Sequence, residues 1–253
     1  MCNVFLEGES ILLIKLVLLR FKKLLSIIHN IYLLKIFLKY RVLAGVEHKQ
    51  ILHKNLNTLV DIGANRGQFS LAAVAISDAY VFAFEPLKLP ASTYSEIFET
   101  NAKVKLFQAA IGNLNAEMDM HVSSKDDSSS LLKIGSLQDE YFPGTFEVGL
   151  ERVPVAPLDY FVSESDIVSP SLLKLDVQGF ELQALKGCKT LISKFDHIYC
   201  ECSFITLYEG QSLASEVITY LTSHNYNLDG VFNLQTDSEG HCIQADLLFS
   251  NNK

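Results

Sequence analysis

From Thr58 onward, short apolar runs alternate with segments of helical length, and turns separate them. The apolar runs cover residues 58–62, 80–84, 104–108, 172–176 and 197–202. Helical segments follow over residues 68–77, 91–100, 181–193 and 213–223. Strands that alternate with helices form a mostly parallel sheet covered on both faces. Residues 227–232 and 243–250 close the chain as two further strands around the turn Asp237-Ser238-Glu239-Gly240, which makes the last strand antiparallel to its partner. With 253 residues, the chain has enough material for one large α/β body; a second full domain would leave both halves small.

One stretch breaks the alternation. About sixty residues separate the third run from the fourth, and they show no clear helix. Residues 116–122 and 148–155 alternate apolar and polar side chains and are expected to be two extra strands. Between them, residues 123–145 are rich in Ser, Asp and Gly. A loop of that length in a compact domain is a lid, a binding loop or a disordered segment.

Charge divides the chain into a helical arm, residues 1–54, and a body, residues 55–253. The net charge of −8 conceals a basic arm with nine Lys/Arg against three Asp/Glu, so the body is strongly acidic. An acidic body argues against nucleic acid as its ligand. The five cysteines match no disulfide framework, so buried reduced thiols in a reducing, cytoplasmic setting are expected. Glu7 and Glu9 are the wrong charge for a signal peptide, and residues 24–34 are too short to span a bilayer. Residues 10–41 read as helix, with a bend or restart near Asn30. Their broad apolar face fits packing on the body or on another subunit. It also fits peripheral contact with the cytoplasmic face of an anionic membrane.

Three motifs carry chemistry. The first, Val60-Asp61-Ile62-Gly63-Ala64-Asn65-Arg66-Gly67-Gln68-Phe69-Ser70, sits where a strand ends and a helix begins. Gly63 permits a tight turn and a close approach to a ligand, and Gly67 lets the helix N-terminus come near. Asp61, at the carboxyl end of the strand, is placed to hold a cationic group of the ligand. In the second motif, Phe84-Glu85-Pro86, a carboxylate ends the next strand, where it can accept from both hydroxyls of a ribose. Asn65 replaces the middle glycine of a dinucleotide loop and crowds a pyrophosphate. A nucleoside with an amino-acid end fits better, which points to S-adenosylmethionine. The third motif is Leu173-Lys174-Leu175-Asp176-Val177-Gln178-Gly179-Phe180-Glu181. Period two puts Lys174 and Asp176 on one side of a buried strand, where charges are costly unless they are paired or functional.

Taken together with Ala110-Ile111-Gly112, Ser129-Ser130-Leu131, Val153-Pro154-Val155, Leu158-Asp159, Glu201 and Ala245-Asp246-Leu247-Leu248-Phe249, these motifs resemble the FkbM family of methyltransferases over residues 56–250. The resemblance implies a Rossmann-like class I methyltransferase fold with seven core strands, the last antiparallel. It implies O-methylation of a hydroxyl on a sugar, glycolipid or related small molecule. Asp61, Gly63, Ala64, Asn65, Gly67 and Ser70 would cradle the methionine end of the donor. Glu85 and Pro86 would meet the ribose, and Ala109 and Ala110 the adenine. Gln178 stands where the family often has Glu, one negative charge fewer, and no metal site is expected.

Transfer to a hydroxyl needs a proton acceptor. Asp176 is the first candidate and Glu201, on the adjacent strand, the second. Lys174 would orient Asp176 or stabilise a developing alkoxide. His121 lies in the inserted stretch, where a lone strand histidine is more often structural. Two other classes compete: a nicotinamide oxidoreductase, opposed by Asn65, and a non-catalytic binding module, opposed by the intact Asp61 and Glu85. The arm gives a first test. Membrane contact requires co-sedimentation with anionic vesicles that weakens with salt and disappears when residues 1–41 are removed, each Lys or Arg at the surface contributing about 1 kcal/mol. Full-length protein that stays in the supernatant at low salt assigns the apolar face to packing.

Overall fold

The computed structural model describes residues 30–252. In chain order the strands are β1 (Thr58–Ile62), β2 (Tyr80–Phe84), β3 (Val104–Phe107), β4 (Ala110–Ile111), β5 (Ala116–Ser123), β6 (Glu147–Ala156), β7 (Ser171–Leu175), β8 (His197–Ser203), β9 (Tyr226–Thr236) and β10 (Cys242–Asn251). The main sheet has seven strands in the order β3-β2-β1-β7-β8-β10-β9. β3, β2, β1, β7 and β8 run parallel. β10 enters between β8 and β9, antiparallel to both. The expected sheet is therefore present, and its antiparallel last strand sits inside it.

Side chains one residue apart on β1 and β7 face opposite ways, as the pleat requires. Val60 and Leu173 join Ile198, Leu185 and Phe249 in one apolar core. Leu59 and Leu172 join Val81, Leu71, Phe98 and Tyr199 in the other. Helices cover both. They are α1 (Ile31–Tyr40), α2 (Gln68–Ile76), α3 (Lys88–Phe98), α4 (Ser136–Tyr141), α5 (Glu181–Gly187) and α6 (Ala214–Ser223). α3 begins three residues earlier than expected, because Pro90 in its first turn needs no hydrogen-bond partner for its nitrogen.

α1 starts at Asn30, whose side chain accepts from the Tyr32 and Leu33 amides at 3.0 and 3.2 Å. Leu33 and Ile36 are buried in the second core with Ile97 and Phe98, while Ile31 and Leu38 stay exposed. The rest of the helix expected over residues 10–41 lies outside the described residues. No helix among the described residues is long and apolar enough to cross a membrane.

The inserted stretch contains the two expected strands, β5 and β6, paired antiparallel. The two-residue β4 completes their sheet by pairing parallel with β6. Residues 123–145 are ordered around a 3-10 turn, Asp126–Ser128, and α4. Six residues are too few to show a helical hydrophobic period, which is why α4 is invisible in the sequence. Its end is held by Thr145, whose hydroxyl donates to the carbonyls of Gln138 and Phe142.

Gly63 and Gly67 are both left-handed, at φ +75° and +94°. A Cβ on Gly63 would stand 1.8 Å from the Asp176 carbonyl oxygen, and one on Gly67 would meet the Phe98 and Tyr94 rings. The close approach at Gly63 is thus to the end of β7, and that at Gly67 to α3. Gly63→Ala is expected to lower stability by about 3 kcal/mol or more, from the positive φ and the backbone overlap together. Thermal unfolding measures it; a loss below about 1 kcal/mol would mean that the two strand ends can part freely.

Candidate active site

A cavity of about 260 Å³ opens at the carboxyl ends of β1, β2 and β7. It lies at the switch point, where the chain leaves β1 toward β2 on one side and β7 lies on the other. Open α/β sheets bind their ligands in this crevice. Gly63, Ala64, Asn65, Glu85, Pro86, Ala110, Lys174, Asp176 and Gln178 all line it.

Asp61 and Ser70 lie beneath it. Asp61 is fully buried, with Lys174 Nζ 3.0 Å from its Oδ1. Its Oδ2 accepts from the Ser70 hydroxyl at 2.7 Å, and that hydroxyl accepts from Tyr94 at 2.9 Å. The cation beside Asp61 in the protein itself is Lys174. Lys174 also donates to the Gly63 carbonyl at 2.7 Å, which ties down the glycine turn. Lys174 and Asp176 share a side of the strand as expected, but their charged atoms are 3.9 Å apart, so the closer partner is across the strands. Asp61 and Lys174 are direct neighbours in the β1–β7 register. Burial works against the charge on Lys174, but Asp61 and Asp176 outweigh it and hold its pKa above the usual value.

Glu85 reaches the cavity from the end of β2, and its two oxygens accept from the amides of Asn65 and Leu87 at 2.9 and 2.8 Å. Those bonds tie the glycine turn to β2 and aim the carboxylate. Burial nevertheless pushes Glu85 up to about 7, since two neutral amides do not replace lost water. Ala110 is at the wall; Ala109 is buried just outside it.

On the other side, Gln178 is held at φ +54°. Its Nε2 donates to Asp176 Oδ1 at 2.8 Å and to Glu201 Oε2 at 2.7 Å, and its Oε1 accepts from Tyr208 at 2.9 Å. A glutamate here could not donate to either carboxylate and would add a third negative charge. The departure from the family pattern thus makes Gln178 a bridge between the two candidate bases. Burial, followed by the charges of Asp176 and Asp246, pushes Glu201 well above the usual carboxylate range. Glu181 opens α5 and accepts from the Val177 and Gly179 amides, which fixes the loop that carries Gln178.

Sequence reasoning named no site residue in two segments that reach the cavity, although it offered a binding loop as one reading of the first. The inserted stretch brings Asp127, Ser129 and Leu131 to the cavity. It is clamped there by Ser130, which donates to the Gln178 carbonyl at 2.7 Å, and by Tyr208, which donates to the Ser128 carbonyl at 3.0 Å. The second contributor precedes β1: Glu47 and His48, in the 3-10 turn Val46–His48, line the cavity as well. Neither belongs to a motif, and nothing in the local pattern marks them. His121 lies instead beside Glu147, at 2.7 Å.

Residues 61–228 match the family described as "Methyltransferase FkbM domain". The chain belongs to this family. It is thus an S-adenosylmethionine-dependent methyltransferase, and the nicotinamide alternative falls. The protein is 31% identical over 191 residues to a "2-O-methyltransferase NoeI" of Sinorhizobium fredii, covering 70% of this chain and 76% of that one. Among solved structures, it is similar to an rRNA methylase from Streptococcus thermophilus, with a TM-score of 0.46 and 8% identity over 82% of this chain and 93% of the other. A precorrin-6y C5,15-methyltransferase from Geobacter metallireducens gives a TM-score of 0.44 and 12% identity over 82% and 85%.

The residues at the cavity fit the donor. Glu85 offers a carboxylate for ribose hydroxyls, the turn around Asn65 presents backbone beside it, and Ala110 and Ile111 supply an apolar wall. Ribose hydroxyls would donate to the ionised Glu85, so binding must expel its proton. Donor affinity is therefore expected to rise as pH climbs through about 7 and to fall on acidification, by up to tenfold per unit below that point. Glu85→Gln should weaken binding by about 1.5–3 kcal/mol and flatten the profile. Calorimetry across about pH 6–8 checks both; an unchanged slope in the variant would remove Glu85 from the ribose.

Proposed function

We propose that the protein methylates a hydroxyl of a carbohydrate-bearing acceptor, free or lipid-linked, by in-line displacement. The observation that carries this reading is the set of polar acceptors on the β7–β8 side of the cavity: Asp176 and Gln178, with Glu201 behind them, joined by Asp127 and Ser129 from the insertion. A molecule with several hydroxyls can donate to such a wall at several points. The relative named as a 2-O-methyltransferase supports a hydroxyl as the acceptor.

When bound, S-adenosylmethionine supplies a methyl group on a positively charged sulfur. The protein's part is to align the acceptor and exclude water. Asp176 meets the hydroxyl: its side chain is 41% exposed, while Lys174 and Gln178 hold its orientation. Lys174 is itself fixed by Asp61, so it acts by positioning Asp176 and the glycine turn. Glu201, whose pKa is pushed up by burial and then by the charges of Asp176 and Asp246, braces Gln178.

The test is incubation with isotopically labelled donor and a panel of free hexoses, deoxyhexoses and glycolipids, followed by identification of the labelled product. Label in an ether-linked methyl group on a sugar supports the reading; label found only on nitrogen or carbon sinks it. With the acceptor in hand, Asp176→Asn should reduce turnover by about 100-fold or more while donor affinity changes little. A loss confined to affinity would restrict Asp176 to binding.

A further inference from the structure

His48 stands outside every motif, yet its ring forms part of the cavity wall. The preceding turn is pinned to the start of α2 by the Gly45 amide, which donates to the Gln68 carbonyl at 2.8 Å. Phe69 and Tyr199 pack on the ring at centroid distances of 5.0 and 5.5 Å. Its Nδ1 is 3.1 Å from the Tyr199 hydroxyl. That hydroxyl donates to Asp246 Oδ2 at 2.8 Å, and the same oxygen accepts from Asn233 at 2.6 Å.

This chain sets the tautomer. The Tyr199 hydroxyl directs its hydrogen to Asp246, so its oxygen can only accept from His48, and Nδ1 carries the hydrogen. The lone pair is then on Nε2. Among the described residues Nε2 has no hydrogen-bond partner, and Glu47 Oε1 is 3.8 Å away. An imidazole whose far nitrogen is held by a hydroxyl–carboxylate pair is the arrangement that makes a histidine a directed proton acceptor.

We infer that His48 is the general base of the reaction, with Tyr199 and Asp246 as its positioning residues. The inference rests on the acceptor being a hydroxyl. The acceptor oxygen forms its bond to the methyl carbon as the carbon–sulfur bond breaks, and that electron pair stays on sulfur. The hydroxyl proton passes to Nε2. Asp176, shared with Gln178 and facing Lys174, is set to orient the hydroxyl rather than to store its proton.

The charge state agrees. Burial lowers the His48 pKa below the usual value. Asp246 on β10, Glu47 on its own turn and Asp176 beyond β7 pull it up, while Lys174 on β7 pushes it down. The net lowering keeps the ring neutral, and so able to take a proton, at neutral pH.

Two readouts test this on the full chain. The first is nitrogen-15 NMR of the imidazoles with S-adenosylhomocysteine bound, the His48 signals being assigned by their loss in His48→Gln. A neutral ring protonated on Nδ1 at pH 7 is expected, with a midpoint below the ordinary histidine value of about 6.5. An imidazolium, or a proton on Nε2, overturns the inference. Tyr199→Phe should shift the tautomer balance toward the Nε2-protonated form. The second readout is methyl transfer to the carbohydrate found by labelling. Turnover should fall on the acid side with the NMR midpoint, and His48→Gln should remove that limb, cutting turnover by about 100-fold or more at nearly unchanged donor affinity. Turnover within about threefold of the unaltered chain would overturn the role. If the unaltered chain methylates no carbohydrate in the panel, the hydroxyl reading fails and takes the base with it. The NMR result, which needs no acceptor, tells that failure from a failure of His48 itself.

Discussion

The ion pair between Asp61 and Lys174 is the interaction on which the site depends. It joins neighbouring positions of β1 and β7, both nearly free of solvent. Moving two charges out of water costs several kcal/mol each, and a buried pair recovers that cost only with good geometry and further hydrogen bonds. Here the further bonds come from Ser70 on one side and the Gly63 carbonyl on the other. The pair is thus a poor device for stability alone, and an apolar replacement of equal volume would serve the fold as well. What it adds is position: it locks the glycine turn to the strand that carries Asp176.

Around that lock the cavity is assembled from distant pieces. β1 and β2 bring the glycine turn and Glu85, joined through the Asn65 amide. β7 and β8 bring Asp176 and Glu201, joined through Gln178. The insertion and the turn before β1 then close over opposite parts of the wall. Each half is held by hydrogen bonds within the protein, so the groups that line the cavity are oriented before any ligand arrives. Such preorganisation removes reorganisation from the reaction itself.

The site is also strongly acidic for a buried place. Burial raises Glu85 and Glu181 to about 7, and burial with the charges of Asp176 and Asp246 pushes Glu201 well above the usual carboxylate range. Lys174 is the cation that holds the cluster together. A positively charged donor suits this setting, and a pyrophosphate does not. The excess of acid in the body, visible in composition, is in part this cluster.

The succession of strands and helices along the chain, the glycine turn and the carboxylates at strand ends were legible in the sequence, because they rest on local causes: hydrophobic period, backbone freedom and the chemistry of the residue that ends a strand. The helix start at Asn30 and the closing hairpin could be read for the same reason. The partner of Lys174 could not. Sequence spacing favoured Asp176, two residues away, whereas the sheet brings Asp61 closer from more than a hundred residues upstream. The clamping of the insertion against Gln178, the bridging role of Gln178 and the place of His48 against Tyr199 and Asp246 were likewise decided in three dimensions. Each depends on which strands become neighbours and on which loops fold back over them. Nothing local in a residue's surroundings along the chain records that choice, since it is made by the burial of both faces of the sheet at once.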